Sequence, residues 1–414
     1  MAEKMRKIDE VLNSGIKTIG IMTGGGDCPG LNAVIRSVVL MAKKYGVKVK
    51  GIPYGYRGMY LGEKYYVDLD EMDVEDIIEK GGTILHSSNK DNLFKYPRRD
   101  KNGLMHDENN NLIYDNFSEQ ALENVEKAGI DALIIVGGDG TLTSGRDYSR
   151  MGIPVVGVPK TIDNDLRSTE VTFGFDTAVA RCSDAISSIR TTGEAHSRVM
   201  LVEVMGRNAG HIALHTAIAS AADMVLISEI PYDSKKIVED VRHSLEKKGN
   251  AIVVVSEGVK APVEGSMKTK IVEGSPDAVR FGGISGVIAD YLERELNSSR
   301  DSNGYAINDI IIDVECRATN LGYVQRGGVP TPNDRILSTR FGAFAVKVLM
   351  EDLKPDANGN FGKMVSMQNN QLTAVDLEDV INSATMIDNQ RRVDPDGELV
   401  NLARDMGISF GDVK

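Results

Sequence analysis

Residues 131–166, DALIIVGGDGTLTSGRDYSRMGIPVVGVPKTIDNDL, constrain the fold of this chain more tightly than any other stretch. Two apolar runs of strand length, 132–136 and 154–158, each end in a loop rich in glycine or acid, and a helical segment separates them. That order predicts a βαβ unit with two neighbouring parallel strands. The loops Gly137 to Thr141 and Lys160 to Asp165 then emerge at one carboxyl edge of the sheet, where open α/β sheets take their ligands. Glycine lets backbone amides approach a phosphate closely, and Asp139, Asp163 and Asp165 offer carboxylates to a Mg²⁺ that accompanies it. The combination points to phosphoryl transfer.

The rest of the chain follows the same α/β pattern. Residues 17–23 read as a buried strand that runs into GGGDCPG and a helical segment, with Pro29 at a first helical position and free amides at a helix start where phosphate is favoured. A second strand is predicted over 47–53 and a short helix over 73–80. Residues 91–117 are polar and turn-rich and read as a long surface excursion near the active edge, or a mobile lid. A second α/β block begins with a helix over 177–190 and a strand ending at Met205-Gly206-Arg207. Helices over 209–221 and 234–248 and strands over 224–228 and 251–256 continue it, and residues 262–278 read as another polar loop. A helix over 283–296, a strand over 309–315, a helix over 334–350 and a polar tail returning to the first block complete the prediction.

Length and composition bound the function classes. A chain of 414 residues is too long for one ordinary core and suggests two or three domains. The formal net charge of −12 argues against a broad nucleic-acid or membrane footprint. Three widely spaced cysteines, Cys28, Cys182 and Cys316, speak against a disulfide framework and for a reducing compartment. No signal-peptide core or membrane-length apolar run occurs, so a cytoplasmic protein without nucleic-acid or membrane partners is expected. The six histidines lack metal spacing and read as structural.

Taken together and in order, GGGDCPGLNAVIR, GGDGT, PKTIDND, MGRNAG, SEG and GYVQRGG resemble the 6-phosphofructokinase family over about residues 17–350. The resemblance implies two Rossmann-like, three-layer α/β domains with mostly parallel sheets. Residues 1–175 with about 325–414 would hold the donor, and 176–324 would hold fructose 6-phosphate. It also implies transfer of a phosphoryl group to the sugar 1-hydroxyl. By position, Asp163 resembles the general base, Thr161 a residue touching the sugar or the transferring phosphate, and Gly26 an amide donor to that phosphate. Gly138, Asp139, Gly140 and Thr141 match the donor loop, and Asp139 and Asp165 the acids around the metal. Met205, Gly206, Arg207, Glu257 and Arg326 match the sugar-phosphate site, where Tyr323 replaces the histidine that short ATP-dependent members use on the sugar, as in the pyrophosphate branch. Arg198 and Arg317 match a pair that reaches the neighbouring subunit's site in a homotetramer.

Several positions bear on the donor or depart from the common pattern. Gly140 goes with ATP in the family, whereas aspartate there goes with pyrophosphate; Lys160 marks pyrophosphate users. An extra cation is tolerated by ATP but a filled cavity is not, so ATP is expected, with pyrophosphate the alternative donor. Asn89 stands where the family often has a bridging arginine, and Lys90 is its candidate substitute, although a flexible point charge is no planar fork. That gap keeps a non-catalytic phosphosugar-binding subunit in play. Leu40 replaces an arginine of the short bacterial enzymes' allosteric site. Singly, these residues have blander readings: glycines for tight turns, aspartates as caps, arginines as surface ion pairs, and Cys28 as a small packing residue.

Overall fold

The structure, a computed structural model, describes residues 15–262, 267–275, 279–381 and 390–413. The helical pattern read at the extreme N-terminus lies outside the described residues. The first block contains β1 (Thr18–Thr23), α1 (Leu31–Lys44), β2 (Lys48–Ile52), β3 (Val67–Asp68), α2 (Ser118–Lys127), β4 (Ala132–Gly137), α3 (Asp139–Met151) and β5 (Val155–Pro159). The second contains α4 (Phe175–Ala195), β6 (Val199–Val204), α5 (His211–Ala219), β7 (Met224–Leu226), α6 (Ser234–Lys248), β8 (Ala251–Ser256), α7 (Ile284–Ser298) and β9 (Cys316–Asn320). The chain then runs through α8 (Pro332–Glu351) into β10 (Gly362–Gln368) and β11 (Gln371–Asp376).

The larger sheet has the order β11-β10-β5-β4-β1-β2-β3, parallel throughout except at its two edges. The smaller sheet, β7-β8-β6-β9, is wholly parallel. Parallel strands are apolar on both faces because helices cover both. In β4, Ala132, Ile134 and Val136 face the core shared with α1 and α8, and Leu133 and Ile135 face a second core with Ala121 and Val125 of α2. One face of the smaller sheet, Met200, Val202 and Val204, joins that shared core, and the opposite face, Val199 and Leu201, packs with α6 and α7. Both sheets are therefore middle layers of three-layer α/β sandwiches.

Several predicted elements shift. The strand expected over 309–315 is found at Cys316–Asn320, because side chains capture the earlier amides: Asn308 Oδ1 accepts from Ile310 N and Ile311 N at 3.0 Å each, and Asn297 Oδ1 from Val314 N at 2.9 Å. Ile310 is consequently 83% exposed. The helix expected over 73–80 contracts to a 3₁₀ turn at Glu75–Ile77. The 91–117 excursion is built of short antiparallel pairings, Tyr96–Pro97 with Tyr114–Asp115 and Arg99–Asp100 with Gly103–Leu104. The loop read over 262–278 contains a strand, Thr269–Ile271, paired with Val279–Phe281. The tail splits: β10 and β11 extend the larger sheet, but Val225 N of the smaller sheet donates to Ser409 O at 2.8 Å.

Asp334 ties α8 to the start of α4. Its buried carboxylate accepts from Gly174 N and Thr177 N at 2.8 Å each and from Thr177 Oγ1 at 2.6 Å. Asp334→Ala orphans these donors and is expected to lower stability by roughly 2–4 kcal/mol, read as a reduced urea midpoint at unchanged m-value.

Candidate active site

The strand ends place the loops. Gly137 of β4 pairs with Pro159 of β5, so the loops that follow start side by side, and Lys160 N donates to Gly137 O at 3.0 Å. The loop after β1 joins them through Gly24 N, which donates to Val136 O at 2.9 Å. A Cβ on Gly24 would lie 2.7 Å from Thr141 Cγ2, so only a bare backbone lets these two loops touch. Tyr56 Oη anchors the same turn by donating to Thr141 O at 2.6 Å. On the smaller sheet, β6 and β8 end at Val204 and Ser256, and Glu257 N donates to Val204 O at 3.0 Å. Glu257 Oε1 accepts from Arg207 N at 3.0 Å, which seats the Met205 to Arg207 loop beside it.

The two loop sets face one another electrostatically. Asp163 and Asp165 are both buried. Burial pushes the Asp165 carboxyl up, the charge of Asp163 pushes it further, and Asp139 adds to this while Arg207 opposes it. Burial and then Asp163 raise Glu257 to about 7, with Arg207 again opposing. Asp139, Asp163 and Asp165 from the first block, and Arg207 and Glu257 from the second, therefore lie within electrostatic reach of one another, where the two sets of strand ends meet. Lys160 is buried, its ammonium donates to Gly26 O, and burial lowers its pKa against the support of Asp163. Arg326 closes the same corner, since a Cβ on Gly26 would lie 2.8 Å from its Nη1. Thr161 Oγ1 accepts from Asp163 N at 3.1 Å, and Thr161 O from Thr172 Oγ1 at 2.6 Å, so the acidic loop is braced from within.

The residues fit a divalent cation. Among the described residues no group of three or more His, Cys, Asp or Glu has metal-binding spacing. Mg²⁺, however, keeps several waters and takes one or two carboxylates. Both carboxylate oxygens of Asp139 are buried without a hydrogen-bond partner among the described residues, and burial raises this acid to about 6. A cation held by Asp139 and Asp165 would relieve both the burial cost and the mutual repulsion.

Gly138 and Gly140 lie at the start of α3, Gly138 at its N-cap and Gly140 exposed in its first turn. Asn89 and Lys90 are exposed beside the glycine loop, whose Gly25 N donates to Ser88 O at 2.9 Å. Tyr323 projects outward, 75% exposed, with the Arg326 guanidinium 5.7 Å over its ring. Arg198 and Arg317 sit at the opposite, amino end of β6 and β9, where both contact Glu315 Oε2, at 2.6 and 3.0 Å. One chain therefore does not bring these two arginines to the cleft. Cys28 is buried under the loop with its thiol toward Phe173 O at 3.6 Å, and burial raises its pKa, so it is a packing residue.

Sequence reasoning missed Gln325. Its buried Oε1 accepts from Met205 N at 3.1 Å and from the Cys182 thiol at 3.3 Å, which fixes the loop before Arg207. Its place inside GYVQRGG was the available signal. It also missed Gly258, where a Cβ would lie 1.9 Å from Arg207 O.

The phosphofructokinase family model matches residues 18–349. A protein named ATP-dependent 6-phosphofructokinase 2 from Clostridium perfringens is 48% identical over 96% of this chain and 99% of its own length. One named pyrophosphate–fructose 6-phosphate 1-phosphotransferase from Amycolatopsis methanolica is 40% identical over 87% of this chain and 93% of its own. The crystal structure of Pichia pastoris phosphofructokinase in the T-state superposes with a TM-score of 0.68 at 27% identity, covering 89% of this chain, which spans 36% of that longer chain. With the family model matching residues 18–349, well over half of its length, this chain belongs to the phosphofructokinase family.

Proposed function

We propose that this chain transfers a phosphoryl group from ATP to the 1-hydroxyl of fructose 6-phosphate, giving ADP and fructose 1,6-bisphosphate, a step of glycolysis. The observation that carries the reading is the convergence of Asp139, Asp163 and Asp165 with Arg207 and Glu257 across one cleft. Asp163 takes the proton of the sugar 1-hydroxyl as that oxygen bonds to the γ-phosphorus and the bond to the ADP oxygen breaks. Thr161 touches the sugar or the transferring phosphate. Gly26 presents backbone to that phosphate, and Lys160 and Lys90 bring positive charge to it. Gly138, Gly140 and Thr141 shape the donor loop. Met205, Gly206, Arg207, Glu257, Tyr323 and Arg326 hold the sugar and its 6-phosphate.

Asp139 and Asp165 would hold Mg²⁺, which supplies charge neutralisation to the phosphates when bound. Residues 1–175 with about 325–414, of which Ser409 pairs back onto the smaller sheet, are assigned to the donor half, and 176–324 to the sugar half. Arg198 and Arg317, remote from their own cleft, complete the site of a second copy in a homotetramer, as forked donors to a phosphate. The reading places the enzyme in the cytoplasm. Among the described residues no helix is long and apolar enough to cross a membrane.

Pyrophosphate as donor is the second reading, favoured by Lys160 and by the 40% identity to the Amycolatopsis methanolica protein. Gly140 favours ATP: it is exposed at the start of α3, where an added carboxylate would crowd and repel a nucleotide's α-phosphate. Initial rates on purified protein with fructose 6-phosphate and Mg²⁺ should be at least about tenfold higher with ATP than with pyrophosphate, and Gly140→Asp should reduce that ratio by about 100-fold. A faster pyrophosphate rate overturns the donor, and no turnover with either overturns the activity.

A further inference from the structure

We propose that Gln390 and Arg391, on a short strap near the C-terminus, are positioning residues for the acidic loop: together they clamp the peptide that joins Asp163 to Asp165 and hold one oxygen of Asp165, and so aim both carboxylates. The proposal rests on the function just assigned to that loop. The strap lies beyond residues 18–349, the span matched by the family model.

The contacts are specific to the segment that carries the acids. Arg391 Nη2 and Nε donate to Asn164 O at 2.8 and 3.2 Å, and its Nη1 donates to Glu170 O at 2.7 Å. Its backbone N donates to Asp165 O at 2.6 Å, and Gln390 forms an antiparallel bridge with Leu166. Gln390 Nε2 donates to Asp165 Oδ2 at 2.9 Å. A single guanidinium therefore fastens the loop at its centre and at its exit, a geometry that the planar fork allows and an ammonium does not.

The loop has reason to need a clamp. Asn164 has φ 53°, in the left-handed region, which costs about 1 kcal/mol or more for a residue other than glycine unless its surroundings hold it there. Thr172 N donates to the Asn164 side chain at 3.0 Å, and Arg391 holds the carbonyl. Because Asn164 lies between the two acids, a flip of its peptide turns Asp163 relative to Asp165. Half of the strap belongs to the opposite wall. His211 Nε2 donates to Arg391 O at 3.2 Å, and Val393 N donates to Glu229 Oε1 at 3.0 Å, an oxygen that also accepts from Gly210 N at 2.9 Å. Gly210 and His211 follow the Arg207 loop directly, so the strap ties the acidic loop of the larger sheet to the sugar-phosphate wall of the smaller one.

The test compares Arg391→Met, Arg391→Lys and Gln390→Met with Arg392→Met, which removes the same charge from an exposed neighbour. Arg391→Met should lower kcat by about 100-fold while KM for fructose 6-phosphate stays within about threefold, since a misplacement of about 1 Å costs that much. Arg391→Lys should recover kcat to within about tenfold of wild type, Gln390→Met should lose about tenfold, and Arg392→Met should be unchanged. In ligand-free protein, amides of the peptide covering 161–170 should exchange at least about tenfold faster in Arg391→Met, with the β4 peptide unaltered. Unaltered exchange over 161–170 overturns the proposal whatever the kinetics, as does acceleration spread evenly over the whole chain. A wild-type protein without turnover counts against the assigned function, and the exchange comparison still decides the clamp.

Discussion

Asp163→Asn is expected to cut kcat by about 10³-fold or more while leaving fructose 6-phosphate affinity within about threefold. The substitution keeps the size of the side chain and removes the carboxylate proposed to accept the hydroxyl proton. The loop should keep its shape, because Asp163 contributes its backbone N, not its carboxylate, to the hydrogen bond with Thr161 Oγ1 at 3.1 Å. Binding should survive for a second reason: Arg207 and Arg326, which carry the opposite charge to a sugar phosphate, are untouched. Loss of the Asp163 charge also removes one of the repulsions that raise Asp165 and Glu257, so neither neighbour is harmed electrostatically. Steady-state kinetics with calorimetric titration of fructose 6-phosphate decide the matter, and near-normal kcat removes Asp163 from the role of base.

Asp139→Asn should separate activity from stability. The carboxylate of Asp139 is buried with both oxygens unpartnered among the described residues, and burial raises it to about 6. An ionised group so placed destabilises the metal-free fold, and replacing it with a neutral amide should stabilise that fold by roughly 1–3 kcal/mol. The same change should weaken the proposed seat for Mg²⁺, so kcat at a fixed, moderate Mg²⁺ concentration should fall by at least about 100-fold, with partial recovery as Mg²⁺ is raised. Urea denaturation of metal-free protein and a Mg²⁺ series give the two readouts. Unchanged stability together with an unchanged Mg²⁺ response places the cation elsewhere.

The parts of this protein that were legible in advance are those in which chemistry and periodicity agree within a few neighbouring residues. The βαβ unit at 131–166 is of this kind: an apolar run buried on both faces has to be a central strand, and glycine and aspartate at its end have to be a loop. Residues 234–248 and 251–256 were read to the residue as helix and strand for the same reason. Where a side chain competes for backbone amides the reading slipped, as at 309–315, because Asn297 and Asn308 capture donors that an apolar pattern assigns to a ladder.

Local sequence by itself determined two α/β blocks, the carboxyl-edge loops and the identity of the acids. Only tertiary structure decided which groups meet. The approach of Asp163 to Glu257 and the packing of Arg326 against Gly26 depend on how two sheets face each other, and no local pattern encodes that orientation. Arg198 and Arg317 carry the same chemistry as Arg207, but they sit at the amino ends of their strands, so one chain holds them away from its own cleft. The clamp of Arg391 on Asn164 joins positions 227 residues apart. A hydrogen bond of that span leaves no periodic trace, because its partners become neighbours only when the chain is packed.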